Sequence, residues 1–300
     1  MPRASSPSSS KLPSSSRRAV SVQPGEETIV SVERAFEIVT MLADAAEGAS
    51  LADIARHLDV NKAIALKLLA TLQGLHVVWR DDVAQRYNLT YRISNLGLRQ
   101  LQKTRLLDQA AAVLKSLAEE TGELVRLAVV ENGDRITWVY AVAGAKRTFQ
   151  VDPNYTLEVY LHTTAIGKSW LATLPFELAL KYMLREGMKP LTKYTKTTAS
   201  AIRSELELTR RRGYATSFEE SELGVIAIAA PIFVTTLAGE RECVGAVSLA
   251  APTNRMDART LTACSPQLLA TVDRLSQIWP LEPRTMRVLQ NPSRTSSTEP

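Results

Sequence analysis

Apolar positions in the first third of the chain recur at three- and four-residue spacing, the period of a helix with one buried face. In "SVERAFEIVTMLADAAEG", Val32, Phe36, Val39 and Leu42 share such a face, with Ser31 placed to cap the start and Gly48 just past the end. "SLADIARHL" follows. Ser50 and Asp53 have capping-box spacing, and Leu51, Ile54, Ala55 and Leu58 form the inner stripe. "DVN" turns the chain, Asn61 caps, and a third helix is expected to run to about Gln73. The period then changes from 3.6 to 2. "HVVWR" and "QRYNLT" read as strands joined by the polar "DDVA", so three helices and a hairpin make a winged helix-turn-helix. Trp79 and Tyr87 are expected to pack that hairpin.

Beyond the hairpin, "ISNLGLRQLQ" reads as a connecting helix and "LLDQAAAVLKSLAEETG" as a stronger one, closed by Gly122. "ELVRLAVVENGDRITWVYAV" is a hairpin whose Asn132-Gly133 favours the positive φ angles of a tight turn. "TTAIGKSWLATL" and "TASAIRSELELTRRRG" are helical, and "GVIAIAAPIFV" and "ECVGAVSLAAP" are near-continuous apolar strands suited to the middle of a sheet. "LLATVDRLSQIW" closes the unit as a helix. The fold class is therefore α/β with two domains, the second a mixed sheet packed with helices. The expected boundaries are a disordered tail at 1–28, the winged domain at 29–91, a linker helix at 92–107, a sensing and association domain at 108–282, and a second tail at 283–300. The first tail is rich in Ser and Pro and carries Lys11, Arg17 and Arg18, which leaves open a basic arm for a DNA minor groove.

Composition agrees with a globular protein: 45% of the 300 residues are hydrophobic and 22% charged. A net charge of +5 permits a nucleic-acid partner without demanding one. The two cysteines, Cys243 and Cys264, form no CxxC pair, which favours a reducing cytoplasm. No apolar run approaches the roughly 20 residues of a membrane helix, so no membrane association is expected.

The segments "SVERAFEIVTMLA", "LADIARHLDVNKAIALKLLATL", "LHTTAIGKSWLATLP", "RRRGYATSFEESELGVIAIAAPI" and "CVGAVSLAAP" together resemble, in order and spacing, the IclR family of bacterial transcription regulators. The resemblance runs from about Ile29 to Pro280. It implies a winged helix-turn-helix, a linker helix and a GAF-like ligand-sensing domain. It also implies a homodimer or homotetramer that acts on double-stranded DNA in response to a small organic metabolite. The chain departs from the family at the recognition helix. The family usually has Pro-Lys-Ser-Thr-Val-His/Tyr-Arg there, whereas this chain has Asn61, Lys62, Ala63, Ile64, Ala65, Leu66 and Lys67. His76 stands where the family usually has Gly, Trp79 where an acidic residue is common, and Ala227 where a Cys is frequent.

Helical geometry divides the recognition helix. Ala65, Leu68, Leu69 and Leu72 suffice for a core stripe, leaving Asn61, Lys62, Ala63, Leu66, Lys67 and Ala70 towards the other side. Ala63 and Leu66 can touch thymine methyl groups, and Lys62 and Lys67 can reach phosphates or guanine acceptors. Arg80 and Arg86 in the wing are expected to contact backbone or minor groove. The pseudo-palindromic operator then has half-sites about 10 or 20 bp apart. Alternatively, Leu66 faces a partner helix and tight DNA binding is lost.

For the effector, the resemblance implies Ala165, Ile166, Ser217, Ala227, Ser248 and Ala250, with Ser217 in a loop. Thr163 or Thr164 caps a helix whose free N–H groups favour a carboxylate. Alanine at 227 and 250 makes the pocket apolar, so the expected ligand is a small organic acid with an apolar or aromatic body. Glu219 and Glu220 read as a solvated loop face, and His162 as a structural hydrogen bonder. There is no HExxH, GxSxG, GxGxxG or P-loop, and no Cys/His set with metal spacing, so neither cofactor nor metal is expected. An architectural DNA binder without ligand and an enzyme carrying a DNA-binding appendage remain alternatives.

Overall fold

The computed structural model describes residues 28–144, 151, 159–236 and 239–280. Lys11, Arg17, Arg18 and the 283–300 tail lie outside the described residues. The chain divides between Asn95 and Leu96 into two compact units.

In the first unit, α1 (Val30–Asp44), β1 (Ala49–Ser50), α2 (Leu51–His57) and α3 (Lys62–Gly74) precede the hairpin of β2 (Val78–Asp81) and β3 (Arg86–Leu89). Ile38, Leu42, Ile54, Ala65, Leu69, Val78 and Tyr87 form its core. At the start of α2 the Asp53 amide donates to Ser50 Oγ at 3.2 Å, and Ser50 Oγ donates to Asp53 Oδ2 at 2.7 Å. That second bond holds the Asp53 carboxyl below its usual range. The hairpin gains a third strand, β1, which pairs antiparallel with β3. Gly48 makes this possible. Its φ is +69°, and a Cβ there would sit 2.4 Å from the Tyr87 carbonyl oxygen.

Three expectations for this unit are corrected. Val32 and Phe36 are exposed, because α1 docks through Ile38 and Leu42, with Ala35 and Val39 beside them. Both stripes have helical spacing, and only the neighbouring elements choose between them. Ser31 lies inside α1, whose N-cap position is Ile29 with no side-chain bond. Tyr87 packs the hairpin as expected, but Trp79 is about half exposed.

The second unit takes in the latter part of α4 (Arg92–Thr104), which crosses the division. Then come α5 (Leu106–Thr121) and the hairpin of β4 (Leu124–Glu131) and β5 (Arg135–Ala143). Asn132 and Gly133 both have positive φ, as that dipeptide predicts. After these come α6 (Ala165–Leu171), α7 (Phe176–Glu186), α8 (Ala199–Arg212), β6 (Ala215–Phe218), β7 (Val225–Thr235), β8 (Arg241–Pro252), α9 (Ala258–Ala263) and α10 (Ser265–Ile278). The strands form one sheet in the order β5-β4-β8-β7-β6. The α/β class stands, but strand directions are more uniform than a mixed sheet: the four described pairings are all antiparallel.

Helices cover both faces of the sheet. On one, Val125, Leu127, Ile226, Ile228, Val247 and Leu249 meet Leu114 and Leu117 of α5 and Leu268 and Leu275 of α10. On the other, Ala128, Ala229 and Ala246 meet Ile166, Trp170 and Leu171 of α6, with Met183 of α7 and Ile202 and Leu206 of α8. Each fully buried Leu or Ile contributes about 1.5–3 kcal/mol relative to exposure.

His76 has a φ of +56°, in the left-handed region that suits glycine. His76→Gly is therefore expected to stabilise the first unit by about 0.5–1 kcal/mol. The check is slower amide exchange in α3 and β2, with no gain expected from the same change at exposed His57 on α2.

Candidate DNA-binding face and effector cavity

The recognition helix begins at a side-chain cap: the Ile64 amide donates to Asn61 Oδ1 at 2.9 Å. Ala65, Leu69 and Leu72 are buried, while Asn61, Lys62, Ala63, Leu66, Lys67 and Ala70 are exposed. The outer surface is thus two lysines around small and aliphatic groups. In the wing, exposed Arg80 donates through Nη2 to Gln85 Oε1 and stands over the Tyr87 ring, 5.8 Å from its centroid. Arg86 is partly buried and donates through Nη1 to the Gly48 carbonyl at 2.9 Å, pinning the hairpin to the turn before α2. Asp81 Oδ1 accepts from the Val83 and Ala84 amides, shaping a wing tip on which Val83 is almost wholly exposed.

The second unit holds a cavity of about 260 Å³. Sequence-predicted Ala165, Ser217, Ala227, Ser248 and Ala250 all line it. Ile166 does not; it is fully buried in the core beside Trp170 and Leu171, one helical position away from the cavity side. Ser217 lies on strand β6, not in a loop. Sequence reasoning missed Arg126 of β4 and Trp138 of β5, together with Tyr160, Leu191 and Ser221.

Strand register explains both the space and its lining. Leu124, Ala250, Ala227 and Ser217 stand in one row across four strands, and Arg126, Ser248, Ala229 and Ala215 in the next. Apart from Leu124 and Arg126, those two rows are Ala and Ser, while the opposite face carries Val, Leu and Ile. Small side chains let α6 come close and leave room at its start. Gly167 lets the turn before α6 fold back against the helix, since a Cβ there would lie 2.6 Å from the Leu161 Cα and carbonyl oxygen.

Thr164 caps α6, accepting from the Gly167 amide at 3.1 Å and donating to the Tyr160 carbonyl at 2.8 Å. Ser217 Oγ donates to the Thr163 carbonyl at 2.7 Å. Both hydroxyls use their protons on the backbone, so they meet a ligand as acceptors. Arg126 is only 8% exposed, and its guanidinium stands 5.3 Å from the Trp138 ring centroid. The Trp138 indole N–H is buried without an acceptor.

Beside the cavity runs a chain of buried charge. Lys168 Nζ donates to Glu220 Oε1 at 2.7 Å, both side chains being almost fully buried. Lys196 donates to Glu220 at 3.2 Å and to Glu205 at 2.8 Å, and Arg212 donates to Glu205 at 3.1 Å. The solvated reading of Glu220 is therefore wrong, and Glu219 is also engaged, its carboxylate accepting from the Gly224 amide at 2.8 Å. The "RRRGYATSFEE" run showed only charge; pairing across 52 positions to Lys168 left no local signal. Burial holds the Lys168 ammonium below its ordinary value despite Glu220. For Glu205, burial opposes ionisation, but Lys168, Lys196 and Arg212 outweigh it and keep the carboxyl below its usual range.

The remaining reactive groups are structural. Buried His162 lies 3.0 Å through Nε2 from the Lys189 carbonyl. Burial pushes the Cys243 thiol up to about 12, which leaves no thiolate nucleophile near neutral pH.

Residues 31–82 match the IclR helix-turn-helix domain, and residues 98–277 match the C-terminal domain of bacterial transcriptional regulator IclR. The chain belongs to the IclR family. It is a transcriptional regulator with a helix-turn-helix DNA-binding domain, not an enzyme, and curated relatives are named as regulators or repressors. The HTH-type transcriptional regulator BhcR of Paracoccus denitrificans is 32% identical over 249 residues, covering 83% of this chain and 86% of that protein. The crystal structure of Thermotoga maritima IclR superposes with a TM-score of 0.62 at 26% identity, covering 84% of this chain and 99% of that one. An IclR homologue from Microbacterium hydrocarbonoxydans, solved with 4-hydroxybenzoate, shares the fold at 18% identity and a TM-score of 0.62, covering 82% and 98%. No described helix is long and apolar enough to cross a membrane.

The ion chain yields two expectations. Lys168→Met leaves the buried Glu220 carboxylate to Lys196 alone and should cost about 3 kcal/mol in urea unfolding, whereas Lys168→Met with Glu220→Leu recovers most of that loss. A lowered Glu205 carboxyl contributes stability above its ordinary value of 4.5 that is lost as pH falls below it. The urea midpoint should therefore drop from pH 5 to 3, and less steeply in Glu205→Gln.

Proposed function

We propose that this regulator binds a pseudo-palindromic operator as a homodimer or homotetramer in the cytoplasm, and that a small organic acid in the cavity sets its affinity. The outer face of α3 carries the DNA half of this reading: a capped helix with Lys62 and Lys67 exposed over a buried Ala65–Leu69–Leu72 stripe. Lys62 and Lys67 clamp phosphates or guanine acceptors, and Ala63 and Leu66 meet thymine methyl groups. The Asn61 amide keeps its N–H groups for DNA while its oxygen caps the helix. Arg80 follows the backbone or minor groove. Arg86 contributes there with the donors not held by Gly48. Recognition is then by methyl contact, charge and DNA shape rather than by the bidentate fork of an arginine.

Association removes exposed apolar surface from water: Val32 and Phe36 on α1, Leu96 and Leu98 on α4. The effector half rests on the mostly apolar, partly open cavity lined by Ala165, Ser217, Ala227, Ser248 and Ala250. Its occupant is a carboxylate with an apolar or aromatic body, in keeping with the 4-hydroxybenzoate held by the distant homologue. Effector binding changes how the sensing domains pack, and α4, continuous between the two units, carries that change to the recognition helices. Coupling of about 1–3 kcal/mol is enough to switch occupancy.

Fluorescence anisotropy of the full chain on its own upstream DNA and on a scrambled duplex tests this. A preference of about a thousandfold at physiological salt is expected. Lys67→Ala should weaken binding and lower the salt slope by about one. Ser248→Ala should leave DNA affinity intact and blunt the response to small acids. Equal, steeply salt-dependent binding to both duplexes would replace operator reading with an architectural role.

A further inference from the structure

We propose that the second unit has a further ligand site, a cleft beside the second half of β7 that takes a free, zwitterionic α-amino acid with an apolar side chain. The cleft shares no lining residue with the cavity at the start of α6, so it stands whatever that cavity binds.

The sheet itself leaves the space. β6 pairs with β7 only from Ile226 to Ala229, while β7 runs on to Thr235. Among the described residues the later part of that edge has no strand beside it. The cleft there measures about 350 Å³ and lies between the C-terminal ends of α6 and α8 and one side of α10. It is poorly suited to a strand from a partner, because Pro231 has no N–H and the Phe233 carbonyl already accepts from Ser276 Oγ. A small molecule has no need of a continuous edge.

Opposite charges line this cleft without meeting. The Arg241 guanidinium stands over the Phe233 ring, 3.8 Å from its centroid, and no described residue accepts a hydrogen bond from it. Arg210 is engaged instead, donating through Nε and Nη2 to the Ala172 and Leu174 carbonyls at 2.6 and 2.7 Å. Asp273 has no hydrogen bond or ion pair among the described residues, although both arginines line the same cleft. A molecule with a carboxylate and an ammonium on one carbon answers both charges. The Arg241 fork takes the carboxylate and Asp273 the ammonium. A third polar group lies in the wall: Thr209 is 2% exposed, and its hydroxyl has no hydrogen-bond partner. Such groups are rare in buried positions, and the polar head of the ligand supplies what is missing. Phe233, Leu269 and Val272 give the ligand's side chain an apolar wall. A cavity of about 150 Å³ takes benzene, so this cleft has room for an amino acid the size of leucine or phenylalanine.

The test is calorimetry on the full chain with leucine, methionine and phenylalanine. Each is compared with its amide, which lacks the carboxylate, and with its des-amino acid, which lacks the ammonium. At least one amino acid should bind about tenfold or more tighter than both of its analogues. In Arg241→Gln it should fall to the affinity of its amide, and in Asp273→Asn to that of its des-amino acid. Both side chains are exposed, so these variants should melt as the unchanged protein does. Thr209→Val keeps the shape and loses the hydroxyl. It should weaken the amino acid several-fold without lowering the melting temperature of the free protein. Neither Arg241 nor Asp273 lines the cavity at the start of α6, so their variants locate the ligand. An amino acid that binds as tightly in both variants as in the unchanged protein sits elsewhere, and the proposal is overturned. A des-amino acid that equals its amino acid reduces the ligand to an anion, and an amide that does so reduces it to an amine; either overturns the zwitterion. No binding by any of the three amino acids overturns the site.

Discussion

The sensing unit depends on an asymmetry between the two faces of its sheet. Strands pointing alternate residues up and down can put bulk on one side and none on the other. Here β7 and β8 place Ile226, Ile228, Val247 and Leu249 on the face covered by α5 and α10, and Ala227, Ala229, Ala246, Ser248 and Ala250 on the face below α6. The bulky face closes into core at interior density. The small face cannot fill the same depth with side chains, so α6 must approach it closely. At the N-terminal end of α6, where the helix no longer covers the sheet, the unfilled depth becomes the cavity. The apolar floor and the reach of Arg126 and Trp138 into it follow from that difference in bulk.

A second constraint holds the cavity walls in place. The turn after β6 carries Glu220, tied to Lys168 on α6 and to Lys196 before α8. Thr192 Oγ1 and Thr195 Oγ1 donate to the carbonyls of Glu219 and Glu220 at 2.6 and 2.7 Å. Leu191 and Ser221, which line the cavity, sit beside these anchors. A buried ion pair adds little net stability because desolvation offsets its attraction, but it is costly to leave half made. It therefore fixes relative position more than it adds energy, and a ligand that moves the Ser221 wall must also move the Glu220 bonds.

The DNA-binding unit carries its own compromise. Its recognition helix carries Ala63, Ile64 and Lys67 where the family pattern has two hydroxyls and an arginine, yet the burial pattern still separates a core stripe from an outer face. His76 holds a left-handed turn without glycine's freedom, and β1 adds a third strand through Gly48. The scaffold of a winged helix is intact, and what has changed is the chemistry it presents to a groove.

Sequence alone determined much of this. The helical periods, the Ser50 and Asn61 caps, the Asn132-Gly133 turn and the Gly122 and Gly213 stops are local, decided within a few residues by backbone sterics and capping. Five cavity residues were also legible, because the motifs that carry them keep their order and spacing. The tertiary structure decided the rest. Two stripes on α1 had equal claim to the core, and only its neighbours turned Phe36 outward and Ile38 inward. Arg126 and Trp138 lie in an ordinary hairpin pattern, and only antiparallel register carries them to the face that α6 leaves open. Glu220 looked like solvated loop until Lys168, 52 positions away, met it in the core. Period and propensity act over a few residues, whereas burial and charge pairing are set by whatever the fold brings alongside.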